Sequence, residues 1–125
     1  MEMKIELIPL KSIDLEDSKR FYAEVMGFHL DHDVQPGNGM RVIQFTPVGS
    51  GCSIAIGTGI GTEDAAPVMG IHLVVADIEA ARVELAGRGL EISEINDMGG
   101  VKYAYFSDPA GNGWELQQTF KGHLR

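Results

Sequence analysis

The chain uses one pattern of residues twice, and this repeat limits the fold more than any other feature. In each half, an alternating strand pattern leads to an aspartate, a helical pattern and a glycine, and three more strand patterns follow. Asp14 and Asp77 stand at equivalent N-cap positions, and the helices end at Gly27 and at Gly87 or Gly89. The predicted fold class is α+β: two βαβββ units that form a curled, cleft-bearing mixed sheet with outer helices.

Eight strands follow from the alternation of apolar and polar residues. They are predicted over residues 5–13, 28–34, 40–46, 52–58, 70–76, 90–96, 101–107 and 114–119. A glycine-rich linker, residues 59–68, joins a first unit of residues 1–58 to a second of residues 69–120. Because a single unit is too small to cover both faces of a sheet, we expect residues 1–125 to form one domain.

Composition excludes several classes of partner. A formal net charge of −8 argues against nucleic acid and against anionic membrane surfaces. No apolar run is long enough to span a membrane, and the first ten residues lack the layout of a signal peptide. Cys52 is the only cysteine, so a reducing cytoplasm is the expected location. We interpret Cys52 as a small buried side chain rather than a nucleophile, because no base is fixed beside it.

Three segments, FYAEVMGF, HLVVADIEAA and FSDPAGNGWEL, carry a family resemblance that covers essentially the whole chain. The sequence resembles the vicinal oxygen chelate superfamily, which includes glyoxalase I, bleomycin-resistance proteins, fosfomycin-resistance enzymes and extradiol dioxygenases. The resemblance implies the fold strongly, but several chemistries share this fold. It also implies a two-fold homodimer with small-molecule clefts.

In metal-using members of the superfamily, the resemblance implies one ligand on the first and last strand of each unit. A gapless superposition of the two closing hairpins, QFTPVGSGCSIAI and YFSDPAGNGWELQ, completes the set of equivalent positions. These positions are Leu7, Ile54, Gly70 and Glu115. Only Glu115 offers a donor, whereas a divalent cation usually takes three from the protein. We therefore expect no metal and no cofactor; the alternative is an atypical divalent metal site made of His72, Glu115 and water.

Counting by twos from these positions predicts a mostly apolar pocket with a few polar groups. Its lining is Leu7, Cys52, Ile54, Ile56, Gly70, His72, Val74, Glu115 and Gln117. Glu115 and His72 are the candidate catalytic residues, because such a pair can move a proton. The alternative for Glu115 is an edge glutamate bonded to a turn amide, to Arg41 or to Lys102. His72 is otherwise a strand histidine that donates to a backbone carbonyl.

Tyr103 and Tyr105 share one face of a strand and can stack on a planar ligand, although core packing or a dimer seam explains them equally well. Trp114 has the opposite parity to Glu115 and is expected in the core. His29 and His32 flank a hairpin and are expected in solvent.

Two functions from different classes remain. We predict a metal-independent protein that binds a small molecule, a drug or a metabolite, as the bleomycin-resistance proteins do. The alternative is a glyoxalase-like lyase or isomerase that uses Glu115 with His72 or an atypical metal site; a dioxygenase is disfavoured because its iron ligands are missing. A regulatory or immunity domain without catalysis is a third interpretation. The expected partners are a small molecule and a second copy of the chain.

Overall fold

The computed structural model describes residues 1–119 and contains two compact units, which divide between Pro67 and Val68. The first unit has one four-stranded mixed sheet in the order β1-β4-β3-β2, and its first and last strands, β1 and β4, are parallel. Its elements are β1 (Leu7–Pro9), α1 (Leu15–Arg20), a π-helical turn (Phe21–Val25), β2 (His29–Gly37), β3 (Met40–Thr46) and β4 (Ser53–Thr58).

The second unit repeats this topology, with the order β5-β8-β7-β6 and parallel pairing of β5 with β8. Its elements are β5 (Ile71–Val74), α2 (Ile78–Gly87), β6 (Asn96–Met98), β7 (Val101–Ser107) and β8 (Gly113–Gln118). The predicted α+β class and the repeated βαβββ unit are confirmed. Neither helix within residues 1–119 has the length and apolar character needed to cross a membrane.

Both helices begin at the predicted aspartates. Asp14 accepts hydrogen bonds from the backbone N–H groups of Glu16 (3.0 Å) and Asp17 (3.1 Å). Asp77 accepts one from Ala80 (3.0 Å). Each carboxylate satisfies donors that the first turn of a helix leaves without partners and lies at the positive end of the helix dipole.

Each unit packs its helix against one side of its own sheet through aromatic residues. Tyr22 is fully buried, and its ring centroid lies 5.6 Å from that of Phe45 on β3. In the second unit, Phe106 and Trp114 stack at 6.2 Å on the side of the sheet where Ile78 of α2 is buried. Burial of a side chain of this size contributes about 1.5–3 kcal/mol. The expectation that Trp114 belongs to the core is confirmed.

The strand predicted over residues 90–96 is wrong, because only Asn96–Met98 forms a strand there. Arg82 of α2 donates from Nε to the carbonyl oxygen of Ser93 at 2.7 Å, which removes the acceptor that a strand ladder would use. The N–H of Tyr105 instead donates to the Ser93 hydroxyl at 2.8 Å. The segment therefore lies along β7 without forming a regular ladder.

The gapless superposition of the closing hairpins is also wrong. Phe45 pairs with Ile54 across the first hairpin, whereas Phe106 pairs with Trp114 across the second. The first hairpin is therefore one residue longer, and Ile54 is equivalent to Trp114 rather than to Glu115. The structural equivalent of Glu115 is Ala55.

An ionic cluster joins α1 to β2 and β3. Arg41 donates from Nε and Nη2 to the two carboxylate oxygens of Asp33, at 3.0 and 2.7 Å, and from Nη1 to Glu16 at 2.7 Å. Lys19 also donates to Asp33, at 2.8 Å. These bonds, those of Arg41 first, hold the pKa of Asp33 well below its usual range, and Asp33 in turn raises the pKa of Arg41.

We predict that Asp33→Asn destabilises the protein in a pH-dependent way. A lowered folded-state pKa gives stability that is present above the unfolded value of about 3.9 and is lost as the pH falls towards the folded value. Urea denaturation at pH 7 should show a loss of about 1–3 kcal/mol relative to wild type, and the difference should shrink at pH 3. Glu16→Gln, at the exposed partner of Arg41, should cost about 0.5 kcal/mol or less. A difference that is constant with pH would contradict this role for Asp33.

Candidate ligand-binding face

Strand register brings the predicted polar residues of the second unit together. His72 on β5 pairs with Glu115 on β8, and Tyr105 on β7 pairs with Glu115 from the other side. Two residues further along, Tyr103 pairs with Gln117. Because alternate residues point to opposite faces, these five side chains share the face opposite Phe106 and Trp114. We call it the polar face of the second sheet.

The DPAGNGWEL segment sets this register. The Asp108 carboxylate accepts hydrogen bonds from the N–H groups of Ala110 and Asn112, each at 2.9 Å, and from the Asn112 side-chain amide at 2.8 Å. Asn112 is fully buried and accepts a bond from the N–H of Val68 at 2.9 Å, while the N–H of Gly113 donates to the Val68 carbonyl at 2.8 Å. The loop thus attaches the start of β8 to the chain that enters β5.

Glu115 and Gln117 hold the imidazole of His72 from both sides. Nε2 lies 2.9 Å from Oε2 of Glu115, and Nδ1 lies 2.6 Å from Oε1 of Gln117. Each ring nitrogen of His72 therefore lies within hydrogen-bond distance of a side-chain oxygen on β8. The side chains of His72 and Glu115 are 44% and 25% exposed, which leaves this hydrogen-bonded pair open to a ligand.

Two tyrosines extend this polar group into an aromatic surface. The Tyr103 ring meets His72 edge-on, with centroids 5.9 Å apart and an interplanar angle of 89°. Tyr105 lies nearly parallel to Tyr103, at 6.4 Å and 16°, and is 38% exposed. A flat ring can therefore stack on Tyr105 while its polar edge reaches Glu115.

A depression of about 230 Å³ lies beside Glu115. Its lining is Met69, Gly70, Tyr105, Phe106, Ser107, Gly113, Trp114 and Glu115. Gly70 has φ +82°, and a Cβ added to Gly113 would lie 2.7 Å from Cε of Met69. The depression therefore depends on two positions without side chains, and the flexible thioether of Met69 lies over one of them. Counting by twos from Gly70 missed Met69, because it lies outside the strand alternation.

The predicted pocket lining needs correction in the first unit. Ile54 and Ile56 lie in the core, at 6% and 0% exposure, because the longer hairpin moves them to the helix side of the sheet. Leu7 pairs with Ser53 and so faces the opposite side from Ile54. Cys52 precedes β4, is partly buried, and donates from Sγ to the Ser53 carbonyl at 3.5 Å. These four residues do not form one surface.

The second unit agrees better with the prediction. Gly70, His72, Tyr103, Tyr105, Glu115 and Gln117 come together there. The alternative partners proposed for Glu115 are occupied elsewhere, because Lys102 pairs with Glu79 at 2.9 Å and Arg41 pairs with Asp33.

The superfamily metal site does not fit these residues. The four implied positions, after the hairpin correction, are Leu7, Ala55, Gly70 and Glu115, and the last alone carries a donor. Nε2 of His72 and Oε2 of Glu115 are hydrogen-bonded to each other and therefore do not face a common metal position. Across residues 1–119, no three His, Cys, Asp or Glu side chains are close enough together to hold a metal ion.

Sequence and structure comparisons identify the family. The Glyoxalase/Bleomycin resistance protein/Dioxygenase superfamily matches residues 8–116, and the chain belongs to it. TnmS3, an antibiotic binding protein from Streptomyces sp. CB03234, is 29% identical, with a TM-score of 0.80 over 94% of this chain and 97% of that one.

Two further solved structures are similar. A glyoxalase/bleomycin resistance protein from the same Streptomyces strain is 31% identical, with a TM-score of 0.77 over 92% of this chain and 100% of that one. A member of the superfamily from Sphaerobacter thermophilus DSM 20745 is 28% identical, with a TM-score of 0.79 over 93% and 97% of the two chains. No curated protein matches the chain significantly.

We predict that Asn112→Ala destabilises the second unit, because it leaves the N–H of Val68 without its side-chain acceptor and removes one of the three donors to the Asp108 carboxylate. The expected loss is about 2–3 kcal/mol by urea denaturation. Asn96→Ala, at an exposed asparagine on β6, is the control and should cost about 0.5 kcal/mol or less. Equal losses in the two variants would show that the Asp108–Asn112 contacts do not set the register of β8.

Proposed function

We propose that the protein binds a small molecule on the polar face of the second sheet and does so without a metal. The observation that carries this proposal is the contact of His72 with Glu115 and Gln117, beside a half-buried and an exposed tyrosine ring and a depression next to glycines. Concave, mostly apolar surfaces with a few fixed polar groups are typical of small-molecule sites. The similarity to an antibiotic binding protein at 29% identity is consistent with a drug or a metabolite as the ligand.

The shape of the face favours a flat ligand that carries a hydrogen-bond donor or a positive charge. Tyr105 offers its ring to an aromatic group, and the depression beside it has room next to Gly70 and Gly113. Glu115 can accept from a ligand N–H or O–H at this edge. Because its carboxylate is already held by His72, little side-chain freedom is lost when the ligand binds.

A lyase or isomerase of the glyoxalase type is the second candidate. The 2.9 Å separation of His72 and Glu115 is suited to proton transfer within a catalytic pair. In the observed arrangement, however, Oε2 of Glu115 is in contact with the ring of His72, and this contact must open before Oε2 can take a proton from a substrate. The binding function needs no such rearrangement.

Trp114 is the only tryptophan of the chain, precedes Glu115 on β8 and is among the residues that line the depression, so its fluorescence is the signal to follow during a titration. We expect planar aromatic amines from a drug and metabolite panel to change this signal saturably. Glu115→Gln should weaken binding about tenfold, the value of one charge-assisted hydrogen bond, and Tyr105→Ala about three- to tenfold. Lys102→Gln, on the opposite face of β7, should leave the affinity within about twofold of wild type.

The same variants separate a binder from a catalyst. A catalyst that relies on Glu115 should convert the compound, and Glu115→Gln should lower turnover by about a hundredfold or more. Mass spectrometry of the recovered compound distinguishes unchanged ligand from product. Near-stoichiometric zinc, nickel, manganese or iron in protein purified without chelator, measured by elemental mass spectrometry, would contradict the metal-independent proposal.

We also propose a homodimer in the cytoplasm, the latter in keeping with the free thiol of Cys52. The N-terminal segment supports the dimer, because Met1, Met3 and Ile5 alternate with charged residues, are 107%, 81% and 67% exposed, and precede the edge strand β1. Exposed apolar rows of this kind are typical of interaction sites.

We predict that light scattering after size-exclusion chromatography gives twice the chain mass for wild type. Ile5→Glu should shift the protein towards the chain mass, because it places a charge in the apolar row. Glu6→Gln, at the neighbouring charged position, should remain dimeric. Wild type at the chain mass would disprove the dimer.

A further inference from the structure

A second polar group lies in the first unit, on the side of the sheet opposite Ile43 and Phe45. Asp31 on β2 is at its centre. Its Oδ2 accepts hydrogen bonds from the Thr46 hydroxyl at 2.5 Å and from the Gln44 amide at 3.0 Å, and its Oδ1 faces Nδ1 of His29 at 2.8 Å. The Ser53 hydroxyl continues the chain to Thr46 at 2.6 Å. We call this group the Asp31 cluster.

A β-bulge places Asp31 in this group. Leu30 pairs with Phe45 and His32 pairs with Gln44, so Asp31 is the extra residue of β2 at a register shift. A bulge interrupts the ladder and turns a side chain to a chosen side of the sheet. Here it brings one carboxylate within reach of Gln44 and Thr46, two alternate residues on the same face of β3.

Asp31 and Asp33 lie on the same strand but are neutralised differently. Asp33 has two cationic partners, Arg41 and Lys19. Within residues 1–119, Asp31 has no Lys or Arg partner, and its hydrogen bonds come from a hydroxyl, an amide and the ring of His29. These bonds, that of Thr46 first, lower the pKa of Asp31 to about 2. The carboxylate is therefore an anion that no lysine or arginine among the described residues contacts.

The Asp31 carboxylate can also accept one more hydrogen bond. A carboxylate has about four lone-pair sites, and the three contacts use three of them. The free site is on Oδ1, whose one partner, His29, is 72% exposed and can move aside, while the Asp31 side chain is 22% exposed. Because Thr46 donates to Asp31, Ser53 must donate to Thr46, and the Ser53 oxygen keeps its own lone pairs.

We propose that the Asp31 cluster is a second binding site, which takes a small organic cation, a protonated amine, with its N–H groups directed at Oδ1 of Asp31. A divalent metal ion is a poorer occupant, because Asp31 offers the one carboxylate of the cluster and the amide and hydroxyl groups already donate to it. This site lies in the first unit and is independent of the function proposed for the second sheet.

The test is titration of ¹⁵N-labelled protein with benzylamine, followed by backbone NMR shifts. We expect saturable shifts in the amides of Asp31, Gln44, Thr46 and Ser53, and none there with neutral benzyl alcohol at equal concentration. Asp31→Asn should weaken benzylamine binding about tenfold or more, because the charge-assisted bond is lost.

Two further variants control for folding. Asp33→Asn removes a carboxylate from the same strand that already has cationic partners, and it should bind benzylamine within about twofold of wild type. His29→Ala changes a mostly exposed side chain and frees Oδ1, so binding should become tighter.

The proposal would be overturned by the absence of a saturable shift at the Asp31 cluster, by equal shifts with benzyl alcohol, or by unchanged affinity in Asp31→Asn. Shifts confined to Tyr103, Tyr105 and Glu115 would assign the amine to the second sheet and would also overturn it. Loss of binding at the second sheet, in contrast, would leave the Asp31 result unaffected.

Discussion

The parallel pairing of the first and last strands in each unit is the constraint on which the rest of the structure depends. It inserts β8 between β5 and β7, so a residue at the middle of β8 has one neighbour from the start of the unit and another from its hairpin. Glu115 thereby lies between His72, which is 43 positions earlier in the chain, and Tyr105. Backbone hydrogen bonds between the strands fix these neighbours, so the side chains of His72 and Glu115 come into contact without any special backbone conformation.

The two units use the same framework for different surfaces. At the place that His72 and Glu115 occupy in the second unit, the first has Pro9 and Ala55, which offer neither charge nor side-chain hydrogen bonds. The first unit instead places its polar group further across the sheet, at the bulge of β2. A duplicated fold therefore does not imply a duplicated site, because the framework specifies neighbours and the side chains specify chemistry.

The sequence allowed the fold to be predicted closely, since the N-cap aspartates, helix periodicity and repeat are local signals. The pairing of His72 with Glu115 also followed from strand parity. The predictions of strand faces and strand bounds were wrong where a contact between residues distant in the sequence determines the local structure. The extra residue in the first hairpin reversed the faces of Ile54 and Ile56, and nothing local marks an inserted turn residue. Likewise, the capture of the Ser93 carbonyl by Arg82 depends on a helix that lies eleven positions earlier.

The Asp31 cluster could not be predicted from the sequence. His29 and His32 are exposed, as expected, but no local pattern indicates a cluster around Asp31. A bulge is invisible in the alternation of side chains, so the convergence of three donors on Asp31 cannot be deduced from the segment alone.

The contact between Met69 and Gly113 makes one exposed side chain part of the wall of the depression. The thioether rests where a Cβ on Gly113 would be, and Met69 is 70% exposed and outside every strand. Its length therefore sets the volume of the depression without any cost to the hydrogen bonds of the sheet. Exchange of this one side chain would change the size of the depression, while Glu115 and its partners remain in place.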